Sequence, residues 1–465
     1  MYMNNKKQSP QFDFFTPIYE IFHELCMLIA ELGKELLFWG YKKAFNKAPP
    51  LQKIDRKALA VINTTDLQDT LGIDTKTRKD FLLDDIDFRK HSFIVGASGF
   101  GKTNLISILQ ENSLVQNKPI IFFDPKGDLE ALTTFKSICE KYNKPCYIFS
   151  EHYQDSISLN PVIEGTVNQV TDRIMRAFEW SEPYYKDASR RSLTRALKNL
   201  EFEDQAFTLR AIFEELEKME SKENIGLIAK IEAILDSDFG KILNANNEGL
   251  TLSKIREERA CLYIGLSTQG YGETAMAVGK LFLGELLYNS YKTLKDNSKL
   301  KHGLSNPISV YFDEFGSLVT PDFIELQNKC RGAGIELTIA VQTASDIDRV
   351  NPELTKQVVE NAGNLFVLKQ RLDASASFFA DAIGTILSKK ETIIIEEGRL
   401  QNRGSIREVN ELLVHPDIIK NLRIGQCILL RQGPTQINLI NIRNREVDKM
   451  KKLASIWDKF PELFN

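Results

Sequence analysis

Apolar positions along the chain alternate between two rhythms. Short runs of β-branched and aromatic residues recur between stretches with helical spacing. The runs predict strands at Ser92–Val95, Pro119–Phe123, Cys146–Phe149, Cys261–Gly265, Ile308–Phe312, Leu337–Val341, Asn364–Leu368, Glu391–Ile395, Gln426–Leu430 and Gln436–Ile440. Strands separated by helices predict parallel βαβ units in a sheet covered on both faces. Residues 165–250 break this rhythm. Ile174 and Phe178, then Leu193, Leu197 and Leu200, then Ile212, Phe213 and Leu216, then Ile228, Ile231 and Leu235 keep helical spacing only. The expectation is an α/β core carrying an inserted all-α domain.

The N-terminal region has its own pattern. Ile18, Phe22, Leu25, Ile29, Leu32 and Leu36 recur at helical spacing, with Glu20, Glu24, Glu31 and Glu35 between them. This predicts an amphipathic helix. Its end, Leu37-Phe38-Trp39-Gly40-Tyr41-Lys42-Lys43, suits a bilayer interface, whereas the glutamates argue against anionic lipid. Packing on protein and lying on a membrane both stay open. Ala48-Pro49-Pro50 marks a boundary. No stretch approaches the 18 or so apolar residues of a transmembrane helix, and no cleavable signal peptide is expected. The resulting division is 1–50 helix and linker, 51–164 first core segment, 165–250 helical insertion, 251–444 second core segment and 445–465 charged tail.

Composition narrows the class. The 465 residues carry 60 Lys and Arg against 63 Asp and Glu, for a formal charge of −3. A near-neutral balance excludes a histone-like protein, so any nucleic-acid contact must be a local patch. With 43% hydrophobic and 26% charged residues the chain is globular rather than disordered. The 6 cysteines form no CxxC, and with 5 scattered histidines neither a zinc site nor a disulfide framework is expected. A reduced, cytoplasmic chain follows as the default expectation.

Residues 96–103 read GASGFGKT, which fits G-x-x-x-x-G-K-[ST]. An apolar strand precedes it and a helix opens at Asn104. In such a loop Gly96, Ala97, Ser98, Gly99, Phe100 and Gly101 present backbone N–H groups to an anion, and the helix N-terminus, with Asn104 as a further nucleotide-binding candidate, adds its positive end. Lys102 would neutralise the β- and γ-phosphates of ATP, and Thr103 would hold Mg²⁺. The bland alternative is a glycine-rich turn.

Other strand ends carry matching chemistry. Ile308–Phe312 runs into Asp313 and Glu314, a Walker B pattern: Asp313 for the Mg²⁺ shell, Glu314 to orient the attacking water. A helix cap is the alternative. Ile120–Phe123 closes on Asp124-Pro125-Lys126-Gly127-Asp128. There Asp124 could approach the metal and Lys126 a phosphate or DNA, or the segment is a solvated turn. Gln342 ends another strand, where an amide can sense a γ-phosphate, or it is an ordinary turn residue. Arg331 precedes that strand, as an arginine finger for a neighbouring subunit or a solvated helix-end cation. In the insertion Lys186, Arg190, Arg191, Arg195 and Lys198 follow Tyr184 and Tyr185. Basic groups beside aromatics suit a DNA backbone and its bases, against the reading of an ordinary charged helix.

Together, GASGFGKT, DPKGD at 124–128, Ser158-Leu159-Asn160-Pro161, FDEFG at 312–316 and RGAGIELTIAVQT at 331–343 resemble the type IV coupling proteins of bacterial conjugation, within the FtsK–HerA class of pumping ATPases. Gly404–Val409 and Leu422–Gln426 resemble the family's C-terminal core. The likeness runs from about 70 to 440. It implies a RecA-like core with an all-α insertion and a hexameric ring with ATP sites between subunits. It further implies partnership with a relaxase-bound single DNA strand, relaxosome proteins and a secretion channel at the cytoplasmic face of the inner membrane. By the same likeness Lys102, Thr103, Asp313 and Glu314 carry nucleotide and metal chemistry, with Arg331 and Gln342 as finger and sensor. Many family members begin with two transmembrane helices, which are not read here. A soluble DNA pump without a secretion role, or a docking adaptor using ATP for assembly, are the alternative expectations.

Overall fold

The computed structural model describes residues 51–445, apart from residues 60–61, 63, 65–66, 68, 220–223, 246–249, 298–306, 350–351 and 397–398. The amphipathic helix expected before residue 50 and the tail beyond residue 445 lie outside the described residues.

The centre is an 11-stranded sheet. Its strands are β1 (Gly72–Asp74), β2 (Asp80–Phe81), β3 (Ser92–Val95), β4 (Ile120–Asp124), β5 (Cys146–Phe149), β6 (Cys261–Gly265), β7 (Ile308–Phe312), β8 (Ile335–Val341), β9 (Asn364–Val367), β12 (Gln426–Arg431) and β13 (Gln436–Ile442). Their order is β2-β1-β13-β12-β9-β3-β8-β7-β4-β6-β5. From β9 to β5 every neighbouring pair is parallel. The stretch from β2 to β9 is antiparallel. The sheet is therefore mostly parallel, as the alternation of strands and helices predicts, with an antiparallel flank that the alternation does not predict. Strands β1 and β2, of 3 and 2 residues, are too short to show a period.

Side chains divide between the two faces with period two. In β4, Ile121 and Phe123 join one apolar core while Ile120 and Phe122 join the other. This is why these strands read as continuous apolar runs.

Two helices on the chain's first half flank the sheet, α1 (Lys102–Val115) and α2 (Leu129–Lys141). Between β5 and β6 come α3 (Val167–Ala177), α4 (Pro183–Phe202), α5 (Leu209–Lys218), α6 (Ile225–Leu235) and α7 (Leu252–Glu257). The apolar residues spaced at helical intervals there, Ile174, Leu193, Leu197, Leu200, Ile212 and Leu216, are buried in the core that also holds Phe93 and Phe123. Asn160 of the SLNP segment staples this stretch together. Its amide donates to Phe207 O at 2.7 Å and Ala245 O at 3.1 Å, and its carbonyl accepts from Val162 N at 3.0 Å. The rest comprises α8 (Thr268–Asn297), kinked at Gly272, then α9 (Pro321–Cys330), α10 (Pro352–Glu360), α11 (Asp373–Ile383) and α12 (Pro416–Lys420).

The strand expected at Glu391–Ile395 belongs instead to a separate long hairpin of β10 (Thr385–Glu396) and β11 (Arg399–Leu412). The β11 half shows no strand pattern in sequence. Its side chains at 405–408, Ser405, Ile406, Arg407 and Glu408, are all exposed, so no buried face imposes an alternation. Among the described residues no helix is long and apolar enough to cross a membrane.

Candidate nucleotide site

The topology collects the chemistry. Strands β3, β8, β7 and β4 lie side by side and parallel, so their C-terminal ends emerge at one edge. At that edge β3 leads into GASGFGKT, β8 into Gln342, β7 into Asp313 and Glu314, and β4 into Asp124 to Lys126. Open α/β sheets bind ligands at such edges. A cleft of about 1290 Å³, open to solvent, is lined there by Ala97, Ser98, Gly99, Gly101, Lys102, Thr103, Lys126, Glu314 and Gln342. Its far wall includes Ile62, Ile424, Gly425 and Ile442.

The loop is built to leave donors free. Gly99 and Gly101 have φ of 82° and 96°, the left-handed region that side chains disfavour. Contrary to expectation, Gly96 N and Ala97 N do not face an anion but are tied to Val341 O at 3.2 Å and Lys369 O at 3.0 Å, which anchors the loop to β8 and to the residues after β9, so the free donors lie further along the loop. The first backbone bond of α1 is Leu105 N to Gly101 O, at 2.9 Å. The N–H groups of Lys102, Thr103 and Asn104 therefore have no partner in the helix, and the Gly101 cap offers no side chain. Thr103 is exposed at the mouth.

Lys102 and Asp313 are 7% and 6% exposed, and their charged atoms stand 3.9 Å apart. Burial pulls the Lys102 amine below its ordinary value, against the attraction of Asp313. Burial pushes the Asp313 carboxyl up, against the attraction of Lys102. Each group is thus desolvated, and for both the attraction across 3.9 Å offsets only part of the cost of burial. A phosphate on Lys102 and a cation on Asp313 would relieve both, so the residues fit Mg²⁺ and a nucleotide.

Glu314 has the opposite balance. Burial would raise its carboxyl, but hydrogen bonds from Lys126 and Gln342 and the charges of Lys126 and Lys102 hold it below the usual range. Lys126 Nζ lies 2.8 Å and Gln342 Nε2 2.7 Å from the same Oε1. The Glu314 backbone is left-handed, φ 44°, and its N–H donates to Asp313 Oδ1 at 2.9 Å. A side-chain-bearing residue in this region is strained, costing of order 1–3 kcal/mol. Phe312, Phe315 and Phe323 hold it there, with ring centroids 5.5 Å and 4.2 Å apart along the series. Gln342 is fixed in turn by Asp346, whose Oδ2 accepts from Gln342 N at 3.1 Å and Thr343 N at 2.9 Å.

Some expected residues have other duties. Asp124 is buried and its oxygens are taken: Tyr263 OH donates at 2.6 Å, Lys126 N at 3.0 Å and Asp128 N at 3.1 Å. It builds the turn that presents Lys126 rather than approaching a metal. Asn104 lines the same cleft, but its side chain is engaged by backbone, donating to Arg443 O at 2.7 Å and accepting from Arg445 N at 3.2 Å. Arg331 lies at the opposite end of β8 from Gln342. Seven residues at about 3.3 Å each separate the ends of that strand by roughly 20 Å. Arg331 is exposed, and Glu325, six residues before it, pairs instead with Lys329 at 2.6 Å and Arg176 at 3.7 Å. It cannot serve the cleft of its own chain.

The basic cluster lies on α4, within the helical stretch. Lys186, Arg190, Arg191, Arg195 and Lys198 are all exposed, as are Tyr184 and Tyr185. Arg190 is paired with Asp172. Sequence reasoning missed Lys369 and Arg371, which flank the Phe100 ring at 5.1 Å and 5.7 Å. The signal was present: both follow the apolar strand Asn364–Leu368, as Asp124 and Lys126 follow theirs.

A parallel sheet with a phosphate loop on β3, an acidic pair on β7 and one strand between them defines a P-loop NTPase. The family model described as the central domain of the helicase HerA matches residues 77–260. A second, described as the TraM recognition site of TraD and TraG, matches residues 307–423. The chain is a P-loop ATPase, similar over those residues to the FtsK–HerA class. Its fold is shared with solved structures of coupling proteins and of VirB4. The bacterial conjugative coupling protein TrwBdeltaN70 is similar at 14% identity and a TM-score of 0.61, over 86% of this chain and 95% of that one. The plasmid coupling protein TrwB in complex with ADP and Mg²⁺ gives 14% and 0.59, over 84% and 93%. VirB4 of Thermoanaerobacter pseudethanolicus gives 14% and 0.55, over 81% and 96%. No curated protein sequence matches the chain.

Proposed function

We propose that the chain is an ATP-hydrolysing DNA translocase that couples a relaxase-bound single DNA strand to a type IV secretion channel. It would work as a hexameric ring at the cytoplasmic face of the inner membrane, with residues 165–250 as an inserted all-α domain. The observation that carries the ATPase half is the convergence of Lys102, Lys126, Asp313, Glu314 and Gln342 on one cleft. The coupling half is supported by the motifs shared with conjugative coupling proteins and by the match to a TraD and TraG segment.

The loop N–H groups and Lys102 bind the phosphates of ATP. Mg²⁺, held by Thr103 and Asp313, would neutralise phosphate charge. Glu314 orients the attacking water, and Gln342, bonded to it, reports the state of the site along β8. At the far end of the same strand Arg331 reaches the cleft of a neighbouring copy, the one cleft open to it. DNA runs past Lys186, Arg191 and Arg195 of α4, with stacking on Tyr184 and Tyr185.

The test is ATP hydrolysis by the purified chain with and without single- and double-stranded DNA at two salt concentrations, beside Lys102→Ala. Salt-sensitive stimulation by DNA, abolished in Lys102→Ala, is expected. Replacing Lys186, Arg191 and Arg195 by Gln should lower the salt slope of single-strand binding by about 2 if each meets a phosphate. Hydrolysis indifferent to DNA would refute the translocase reading.

A further inference from the structure

The Lys126–Glu314 contact is unusual for a hydrolytic site. The carboxylate that should hold a water is instead tied up, with an ammonium and an amide both on Oε1. The tie is built in. The Lys126 backbone is fixed by Asp124, and the next residue, Gly127, has φ 61° against Ser267, whose Oγ would lie 2.4 Å from an added Cβ. Only the four-carbon stem of Lys126 is free to pivot, and its side chain is 41% exposed. Its amine lines the same cleft as Lys102, and the two cations oppose each other's charge there. Two ammonium groups facing one cleft, one of them parked on a carboxylate, make a place for a polyanion larger than a single carboxylate.

We infer that Lys126 is shared between Glu314 and the γ-phosphate of ATP, so that the triphosphate, and not the diphosphate, unties the water-orienting carboxylate. The inference rests on the nucleotide reading above and adds a role to it. Before ATP binds, Lys126 holds Glu314 Oε1 and the carboxylate is not available to a water. The doubly charged terminal phosphate outcompetes the carboxylate for the amine, and Glu314 is released to the water. Lys126 is thus a positioning residue for Glu314 and the group that distinguishes ATP from ADP.

The exchange has a thermodynamic signature. ATP binding must break the Lys126–Glu314 pair, so freeing the lysine beforehand should tighten ATP. The experiment is calorimetric binding of a non-hydrolysable ATP analogue and of ADP, each with Mg²⁺, to the full chain. The variants are Lys126→Met, Lys126→Arg, Glu314→Gln, the Lys126→Met/Glu314→Gln double variant and Lys102→Ala. Lys126→Met should weaken the analogue about tenfold relative to ADP, with Lys126→Arg recovering most of the loss. Glu314→Gln should tighten the analogue about threefold to tenfold when Lys126 is present, and distinctly less when it is Met. Equal weakening of analogue and ADP, or a Glu314→Gln effect identical in both backgrounds, would overturn the inference. If Lys102→Ala binds both nucleotides as the parent chain does, the nucleotide site itself is misassigned.

Discussion

His91 makes a prediction that can be worked through from its surroundings. It sits immediately before β3, the strand that feeds the phosphate loop, and is 2% exposed. Its Nδ1 accepts from Leu337 N at 3.1 Å, and its Nε2 donates to Gln327 O at 3.1 Å. Those partners demand the neutral ring, because a proton on Nδ1 would face the Leu337 N–H. Burial drives the imidazole from its usual 6.5 down to about 4, and the charge of Arg331 pushes the same way. In the unfolded chain the ring protonates near its ordinary value. Between the two values the unfolded state binds more protons, so stability present above pH 6.5 is lost as pH falls toward 4. The full gap of about 2.5 pH units corresponds to about 3.4 kcal/mol. The loss should be about 1.4 kcal/mol by pH 5.5 and about 2.6 kcal/mol by pH 4.5. The assay is urea unfolding at pH 7.5, 6.5, 5.5 and 4.5 for the parent chain and His91→Gln. Carboxylates titrate in both proteins, so the difference between the two curves isolates the ring. That difference should shrink by the stated amounts as pH falls, whatever its value at pH 7.5. Parallel curves would refute the argument, and with it the view that a neutral His91 pins β3 to β8 and α9.

Glu314→Gln should keep nucleotide binding while turnover falls about a hundredfold or more, since the water loses its orienting carboxylate; near-normal turnover would remove Glu314 from that role. Arg331→Ala should be inactive alone yet restore hydrolysis when mixed with Lys102→Ala, because each variant supplies what the other's shared site lacks; mixtures as inactive as either component would count against action in trans. Lys118 is bound at 2.7 Å to Glu336 with both side chains buried. Lys118→Met should therefore cost about 3–5 kcal/mol in urea unfolding by stranding a buried carboxylate, and a loss under about 1 kcal/mol would show that Glu336 finds water or a proton at little cost.

The fold class was legible because buried parallel strands must be apolar on both faces. Runs such as Ile308–Phe312 and Cys261–Gly265 stand out without any knowledge of their neighbours. The phosphate loop was legible because its function is met by local backbone geometry, which glycines at fixed spacing advertise. The hairpin of β10 and β11 was only partly legible, since a ribbon with solvent around it leaves no alternation to read. Asp124 and Asn104 show the converse limit. Both occupy positions next to the chemistry, yet Tyr263 and Arg443, far away in sequence, recruit them to structural work.

The chain by itself therefore determined the buried strands and the amphipathic helices, though not β1, β2 or β11, and it put an anion-binding loop, an acidic strand end and a polar strand end into the protein. These are local properties, set by period, glycine spacing and side-chain type. The tertiary structure alone decided what those groups meet. Placing β8 between β3 and β7 brings Gln342 onto Glu314, and placing β4 beside β7 brings Lys126 to the same oxygen. The same strand sends Arg331 to the far edge, away from its own cleft. Strand order is set by how the two apolar cores close over the sheet, a sum over contacts distant in sequence, and no local pattern encodes it.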